Sequence, residues 1–304
     1  MLTSMKSIID KALTLPRQTV AVACAQDAEA MRAVAEAQAM GLADFILVGN
    51  TDKIKSIADK IALNLAPFEL VDARGEACGA AATVAVVASG RAQILLKGFV
   101  DSSVLFKAVL NRDAGLRNGA TVSHTVVMDV PGFDKLYLLT DAAMIIKPDL
   151  QTKREIVRNA VKVAQALGNP DPVVGVLCES EKVNPKMPAT VDAAALVEMN
   201  RCGELTGCRV GGPYALDNAI SIEAARHKGM RDPLAGKADI LLAPDLAAGN
   251  IFYKSLMYFA HARSAGVVIG TKAPVLLNSR ADSHQTKINA VALGILMAAN
   301  GTHA

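Results

Sequence analysis

With 304 residues, the chain has room for two domains of ordinary size, each able to bury a hydrophobic core. Hydrophobic residues make up 52% of it and aromatic residues only 4%, a composition that favours parallel sheets covered by helices. Lysine and arginine number 32 against 29 aspartates and glutamates, and the net charge of +3 excludes the broad positive field that nucleic-acid binding requires. We therefore predict an α/β protein that binds any anion locally.

Short apolar runs bounded by turn residues predict the strands. In chain order these runs are residues 19–24, 44–49, 93–98, 173–179, 238–244, 266–270 and 274–279. Helix-period segments lie between several of them, among them residues 28–42, after Asp27 as a candidate N-cap, and residues 149–168. Strands and helices in alternation predict a parallel sheet with right-handed crossovers.

The middle of the chain departs from this alternation. Residues 121–130 and 135–141 flank a PGFD turn and predict an antiparallel hairpin. A second series of strands and helices starts directly after it. We therefore predict a first α/β domain at residues 1–145 and a second at 146–282, with the last helix, about 283–304, packing back on the first domain.

The N-terminus and the cysteines indicate a cellular compartment. MLTSMKSIIDKALTLP carries charged residues inside its apolar pattern and lacks the uninterrupted apolar core of a secretory signal, and no stretch elsewhere has the length of a membrane span. The five cysteines form no CxxC pair, and their odd number fits no complete disulfide set. We expect a cytoplasmic protein without a membrane partner, in which Cys24 and Cys178 are buried packing thiols.

The loop after residues 238–244 carries the first candidate site residues. Ligands of α/β sheets bind at the carboxyl ends of the strands, where helix N-termini present free N–H groups. In this loop Asp245 and Asn250 offer polar side chains, Gly249 permits close backbone approach, and Lys254 lies one helical turn beyond Asn250. The alternative interpretation is an Asx turn with a helix cap.

The loop after residues 274–279 carries the second group of candidates. Arg280 presents a planar fork of N–H donors suited to phosphate, and Ser279 presents a hydroxyl. Asp282 or Ser283 is the candidate N-cap of the following helix, whose N-terminus favours an anion. The alternative is a surface ion pair between Arg280 and Asp282 that contributes little.

Two further loops carry candidates of the same kind. Asn184 and Lys186 lie in a proline-braced loop after residues 173–179, and Asp217 lies in the loop GPYALDNA. Lys186 is suited to phosphate, although Asn and Pro are ordinary loop residues. Asp217 is alternatively a helix cap.

Several sites of established type are missing from the sequence. It contains no HExxH pattern, no GxGxxG after the first strand and no GxxxxGK[ST], and its five histidines are scattered. We therefore expect no metal, no nucleotide cofactor and no Ser/His/Asp triad.

Taken together, the candidate loops resemble the phosphate acetyl/butyryltransferase family. PDLAAGN with Lys254, GPYALDNAI and LLNSRADS match its recurring motifs in the same order, and LLKGFVDSSVLFKAVLN and VNPKMPATVDAAAL are similar to its butyryl branch. The resemblance implies two α/β lobes with a cleft between them, an architecture like that of isocitrate/isopropylmalate dehydrogenase, and a homo-oligomer. It also implies reversible transfer of a short acyl group, butyryl above others, between coenzyme A and phosphate, with coenzyme A as substrate and no cofactor.

The resemblance extends to the catalytic residues in part. Ser279 and Arg280 match a Ser–Arg pair of the acetyl branch, but this chain has Thr286 where the acetyl enzymes place an aspartate. Asp282 and His284 are then the candidates for a general base. We expect direct transfer in a ternary complex, with donors aimed at phosphate and at the developing oxyanion.

Other functions stay open on sequence alone. They are a phosphate acetyltransferase, a metal- and nicotinamide-dependent decarboxylating dehydrogenase of related fold, and a noncatalytic module that binds coenzyme A. A covalent acyl-cysteine route is disfavoured, because no cysteine lies in a motif loop.

Overall fold

The structure is a computed structural model and describes residues 1–278 and 282–301. The chain divides into two compact units. The first unit comprises Met5–Val122 and Ser264–Ala304, and the second comprises Met1–Ser4 and Ser123–Arg263. Within the described residues, no helix has both the length and the apolar character that crossing a membrane would take.

Strands and helices alternate along the first 122 residues. They are α1 (Met5–Ala12), β1 (Gln18–Ala23), α2 (Ala28–Ala39), β2 (Ala43–Gly49), α3 (Thr51–Lys60), β3 (Glu69–Asp72), α4 (Glu76–Ala88), β4 (Ile94–Lys97) and α5 (Ser102–Val109).

From residue 123 onward a hairpin comes first and the alternation then resumes. The elements are β5 (Ser123–Asp129), β6 (Leu136–Thr140), α6 (Leu150–Ala166), β7 (Val173–Leu177), α7 (Pro188–Arg201), β8 (Arg209–Tyr214), α8 (Leu216–Ile220), α9 (Ile222–His227), β9 (Ile240–Leu242), α10 (Leu246–Tyr258), β10 (Arg263–Ile269), β11 (Val275–Leu276) and α11 (His284–Ala299).

The first unit is built on strands in the order β3-β2-β1-β4-β11-β10. All neighbours are parallel except β10 and β11, which pair antiparallel. Helix α11 is buried along nearly its whole length and packs against α1, α2, β4 and β11. A helix that is apolar on all sides belongs in a core, so α11 is the central helix of this unit.

The second unit is built on strands in the order β5-β6-β9-β7-β8. β5 and β6 form an antiparallel hairpin, whereas β6, β9, β7 and β8 run parallel to one another. Their carboxyl ends therefore lie at one edge of the sheet, where the loops leading into α7, α8 and α10 begin. This edge holds most of the candidate residues.

The predicted fold class is confirmed: both units are α/β with mostly parallel strands. The predicted hairpin is confirmed as β5 and β6, and Asp27 and Asp149 cap α2 and α6 through hydrogen bonds to backbone amides. Two strands were missed. β3 is a four-residue edge strand with acidic residues at both ends, and β8 reads RVGGPY, whose glycines and proline are typical of a turn.

The compact units divide the chain after residues 122 and 263, whereas the sequence placed its boundaries at 145 and 282. The hairpin belongs to the second unit because β6 pairs with β9. Strand β11 and helix α11 belong to the first unit, where β11 pairs with β4.

Candidate active site

Helix α10 begins at the loop that carries the first group of candidates. Asp245 is its N-cap, and the Asp245 Oδ1 accepts a hydrogen bond of 2.9 Å from the amide of Ala248. This contact satisfies one of the free amides of the first turn. Asp245 thus has the capping geometry that was the alternative interpretation of its loop.

Gly249 and Asn250 join α10 to the loop after β6. A Cβ at Gly249 would lie 2.4 Å from the carbonyl oxygen of Asp141, so only glycine allows this approach. The Asn250 side-chain amide donates to the carbonyl of Ala142 at 3.1 Å. Both residues therefore fix where the helix N-terminus lies relative to that loop.

The loop itself is held by the buried carboxylate of Asp141, which is 3% exposed. Its Oδ1 accepts hydrogen bonds from the amides of Ala143 and Met144 at 2.8 and 2.9 Å, and its Oδ2 accepts one from the amide of His124 at 3.0 Å. Charge-assisted hydrogen bonds of this kind are about twice as strong as neutral ones. Asp141 thus ties β5, β6 and the start of α10 together, and sequence reasoning did not single it out.

Lys254 lies one turn further along α10 and is partly exposed. Its ammonium lies 5.1 Å from the centroid of the Tyr253 ring, within the range of a cation–π contact. This contact leaves its hydrogen-bond donors available to an anion.

The first turn of α8 places Asp217 at the surface. Its carboxylate forms an ion pair of 3.0 Å with Lys228, whose ammonium holds the pKa of Asp217 below its usual range. Just before it, buried Tyr214 donates its hydroxyl to the carboxylate of Asp232. Burial, followed by this hydrogen bond, raises the pKa of the Tyr214 phenol, so the hydroxyl stays protonated.

The loop between β7 and α7 holds Asn184 and Lys186. The Asn184 Oδ1 accepts from the amide of Lys186 at 3.0 Å, and its backbone amide donates to Thr190 Oγ1 at 2.9 Å. Asn184 is therefore engaged in shaping the loop, whereas the side chain of Lys186 is exposed.

An apolar cavity of about 380 Å³ lies among these loops in the second unit. Its lining comes from the ends of β7 and β9, the start of α8 and the first turns of α10: Leu177, Cys178, Glu179, Leu216, Ala243, Pro244, Ala248 and Phe252. The volume falls within the range of small-molecule sites, about 300–1,000 Å³. Asp217, Asp245 and Gly249 are each next in sequence to a lining residue, so the structure brings two of the four predicted loops to one cavity.

The cavity lining contains residues that sequence reasoning missed as site residues. Leu216, Ala243 and Phe252 are apolar and carry no motif of catalytic type, but Ala243 lies near the carboxyl end of the predicted strand 238–244. Its position at the carboxyl end of a strand was thus the sequence signal that could have identified Ala243 as a site residue.

Ser279 and Arg280 lie outside the described residues. The described part of the loop begins again at Asp282 in the first unit, whose carbonyl oxygen accepts a hydrogen bond of 2.7 Å from the ammonium of Lys287. Ser283, and not Asp282, is the N-cap of α11, through its contact with the amide of Thr286. The sequence had offered Asp282 or Ser283 as this cap, and the structure shows that it is the neutral serine.

No group of three or more His, Cys, Asp or Glu side chains in the described ranges has the geometry to hold a metal ion. The acidic residues at the sheet edge of the second unit are engaged separately, with Asp245 in a helix cap and Asp217 in an ion pair. The cavity lining is apolar apart from Cys178 and Glu179.

Cys178 contributes the one thiol among the residues that line the cavity. Burial, with the nearby charge of Glu179 as the second cause, raises its pKa to about 12. Because the thiolate is the reactive form, Cys178 is inert near neutral pH. The disfavoured acyl-cysteine route gains no support from this environment.

We expect Cys178 to resist alkylation at pH 8, about a thousandfold more than a thiol with the ordinary pKa of 9.0, since its thiolate is that much rarer. Mass spectrometry after iodoacetamide treatment measures this, with the exposed Cys78 and Cys202 as internal controls. The substitution Cys178→Ala should leave thioester turnover within a few fold of wild type. Rapid labelling of Cys178 together with an inactive Cys178→Ala variant would instead establish a covalent route.

Comparison with known proteins gives this geometry its context. The family described as "Phosphate acetyl/butaryl transferase" matches residues 4–84 and 77–295. A phosphate butyryltransferase of Clostridium acetobutylicum is 46% identical over 99% of this chain and 100% of its own, and a phosphate acetyltransferase of Rhizobium meliloti is 44% identical over 87% and 84%.

A solved structure extends the match to three dimensions. The branched-chain phosphotransacylase from Enterococcus faecalis V583 has a TM-score of 0.82 and 35% identity, over 92% of this chain and 99% of its own. Fold, sequence and the order of the motif loops thus agree, and the chain belongs to the phosphate acetyl/butyryltransferase family.

Proposed function

We propose that the protein transfers a short acyl group, butyryl above acetyl, reversibly between coenzyme A and inorganic phosphate. The apolar cavity at the carboxyl ends of β7 and β9 is the observation that supports an alkyl acyl chain as ligand. It adjoins the loops PDLAAGN and GPYALDN, by which the chain resembles its family. Identity alone separates the alternatives poorly, since butyryl and acetyl relatives are 46% and 44% identical.

The reaction we propose is direct transfer without a covalent enzyme intermediate. An oxygen of phosphate attacks the thioester carbonyl carbon and forms the new C–O bond, and a tetrahedral centre with a negatively charged oxygen results. The C–S bond then breaks, and the proton of hydrogen phosphate goes to the departing sulfur. Acyl phosphate and free coenzyme A are the products, and no metal or further cofactor takes part.

The side-chain chemistry and the contacts of each candidate residue assign it a role in this reaction. Arg280 holds phosphate with its bidentate fork, and Ser279 donates to the thioester oxygen as charge develops there. Lys254, Lys186 and Asp217 remain candidate substrate contacts, with Lys254 binding an anionic group of coenzyme A. Asn250, Gly249, Asn184 and Asp245 position the loops, since their contacts in the structure are with the protein itself.

The acidic residue Asp282 becomes less important in this scheme. Hydrogen phosphate is already ionised near neutral pH and carries the proton that the leaving sulfur needs. Positioning and charge compensation are then the main requirements in the direction of acyl phosphate. In the reverse direction the thiol of coenzyme A loses its proton, and the same path returns that proton to the departing phosphate oxygen, with Asp282 as the candidate residue to relay it.

Replacing Arg280 with Ala should lower kcat for phosphate-dependent thiol release about a hundredfold to a thousandfold, because one donor to the reacting charge is lost. A chromogenic thiol reagent follows the reaction with butyryl-CoA in the presence and absence of phosphate. Arg201→Ala is the matched control, since Arg201 forms an exposed ion pair with Glu198. An Arg280→Ala variant as active as Arg201→Ala would remove Arg280 from the site.

Filling the cavity should change the preferred acyl chain. Ala248→Phe adds a ring at a lining position, and we expect kcat/KM for butyryl-CoA to fall about 10- to 200-fold while that for acetyl-CoA changes much less. Ala247→Phe, on the same exposed turn but outside the lining, is the matched control. Equal losses for both thioesters in Ala248→Phe would place the acyl chain elsewhere.

We also propose a homo-oligomer that works in the cytoplasm. Helix α10 buries only Gly249, and Ile251, Tyr258 and Phe259 are 67%, 65% and 87% exposed at its outer face and end. Exposed apolar side chains grouped in this way favour a protein surface as partner. All five cysteines are free thiols, which is typical of a reducing compartment.

The substitution Phe259→Asp should shift the protein toward monomer, because a charge replaces the most exposed large apolar side chain. Sedimentation velocity over a hundredfold range of concentration measures the change. Phe133→Asp, at an exposed phenylalanine in the β5–β6 turn, is the control. An unchanged sedimentation coefficient in Phe259→Asp would exclude this face as the subunit contact.

A further inference from the structure

Lys287 is a buried cation without an acidic partner in the part of the chain that the structure describes. It is 4% exposed, and its ammonium makes one hydrogen bond, of 2.7 Å, to the backbone carbonyl of Asp282. No carboxylate of the described residues lies within ion-pair distance of it. Lysine is almost never buried without a paired charge, because removing an ammonium from water is strongly unfavourable.

The surroundings of Lys287 increase the excess of positive charge. Lys287 lies at the first turn of α11, a helix of 16 residues whose N-terminus carries a partial positive charge. The first turn of α11 contains no acidic residue, and its cap is the neutral hydroxyl of Ser283. A cation at this end of a helix is unfavourable unless an anion is bound near it.

A second anomaly lies on the other side of the same loop. Asn278, two residues beyond the end of β11, is 3% exposed, and neither its Oδ1 nor its Nδ2 has a hydrogen-bond partner among the described residues. A buried polar atom left unpaired destabilises the folded state, because it has lost its hydrogen bonds to water and gained none in the protein. Native proteins keep few such groups, and an unbound ligand is one of the accepted reasons for them.

Asn278 and Lys287 lie on either side of the Ser–Arg pair in the sequence. Asn278 directly precedes Ser279, and Lys287 is bonded to Asp282, the residue after Ala281. Strand β11 pairs in parallel with β4, so Asn278 lies at the carboxyl edge of the first unit's sheet, where ligands of such sheets bind. In the sequence, a buried amide at Asn278 therefore precedes the Ser–Arg pair and a buried ammonium at Lys287 follows it.

We propose that Lys287 and Asn278 are phosphate-binding residues, the ammonium acting as counter-charge and the amide Nδ2 as donor to a phosphate oxygen. This assignment rests on the function proposed above. It also gives a reason for Thr286, which stands where the acetyl branch has an aspartate. The turn carries a cation at the next position, so it serves to hold ionised phosphate and does not supply a base.

The test uses two substitutions at Lys287 that separate charge from hydrogen bonding. Lys287→Gln keeps a donor for the Asp282 carbonyl but removes the charge, and Lys287→Arg keeps the charge. We expect Lys287→Gln to raise the KM for phosphate at least about tenfold, with the KM for butyryl-CoA within about twofold of wild type. Lys287→Arg should recover most of the loss. If Lys287 only anchors the loop, Lys287→Gln will have the phosphate KM of wild type, and the proposal is wrong.

Asn278→Leu provides a second and independent measurement. We expect it to unfold at a higher urea concentration than wild type in the absence of phosphate, because two unpaired buried atoms are removed, and to bind phosphate at least about tenfold more weakly. Should Lys287→Gln fail to fold, Asn278→Leu decides the question: wild-type affinity for phosphate would overturn the proposal.

Isothermal titration with inorganic phosphate distinguishes this proposal from the proposed function. If the wild-type protein releases no thiol from acyl-CoA and phosphate, the proposed function fails. Phosphate binding that is present in wild type and lost in Lys287→Gln would then still support the site. Turnover of wild type together with equal phosphate affinity in wild type and Lys287→Gln would reject the site alone.

Discussion

The carboxylate of Asp141 is the interaction on which the second unit's ligand edge depends. It accepts hydrogen bonds from three backbone amides in two different segments, those of Ala143 and Met144 in the loop after β6 and that of His124 in β5. The loop that it shapes offers the carbonyls against which α10 rests, at Gly249 and Asn250. Without this anchor, the first turn of α10 and the cavity wall that it provides would have no fixed position.

The motifs by which the chain resembles its family are therefore in large part structural. Asp245 caps a helix, Gly249 permits a close backbone contact, and Asn250 binds a carbonyl. Such residues place a helix N-terminus and an apolar wall at the carboxyl edge of the second unit's sheet, and their neighbours in sequence line the cavity. A motif shared across a family can thus consist of residues that hold the loops of a site in place as well as residues that carry its chemistry.

Local sequence patterns were enough to predict the α/β fold class and most of the strands. Asp27 was predicted as a cap from the sequence because an N-cap depends on one side chain and the next three residues, whereas the cap at Asp149 was found only in the structure. β8 was not readable, since its two glycines and proline contradict strand propensity and only pairing with β7 makes it a strand. The cavity at Leu216 and Phe252 is formed by segments that are distant in sequence. The burial of Lys287 and Asn278 likewise depends on the packing of distant segments around them. Burial is a tertiary property, and no local pattern signals a lysine without a counter-charge.

The raised pKa of Cys178 has a consequence for an enzyme that handles thiols. Coenzyme A is a product here, and its oxidised forms are disulfides that exchange with protein thiolates. The exchange rate follows the thiolate fraction of the attacking cysteine, which at Cys178 is suppressed by burial and by Glu179. A low thiolate fraction at Cys178, in the wall of the proposed acyl cavity, therefore slows the formation of a mixed disulfide there.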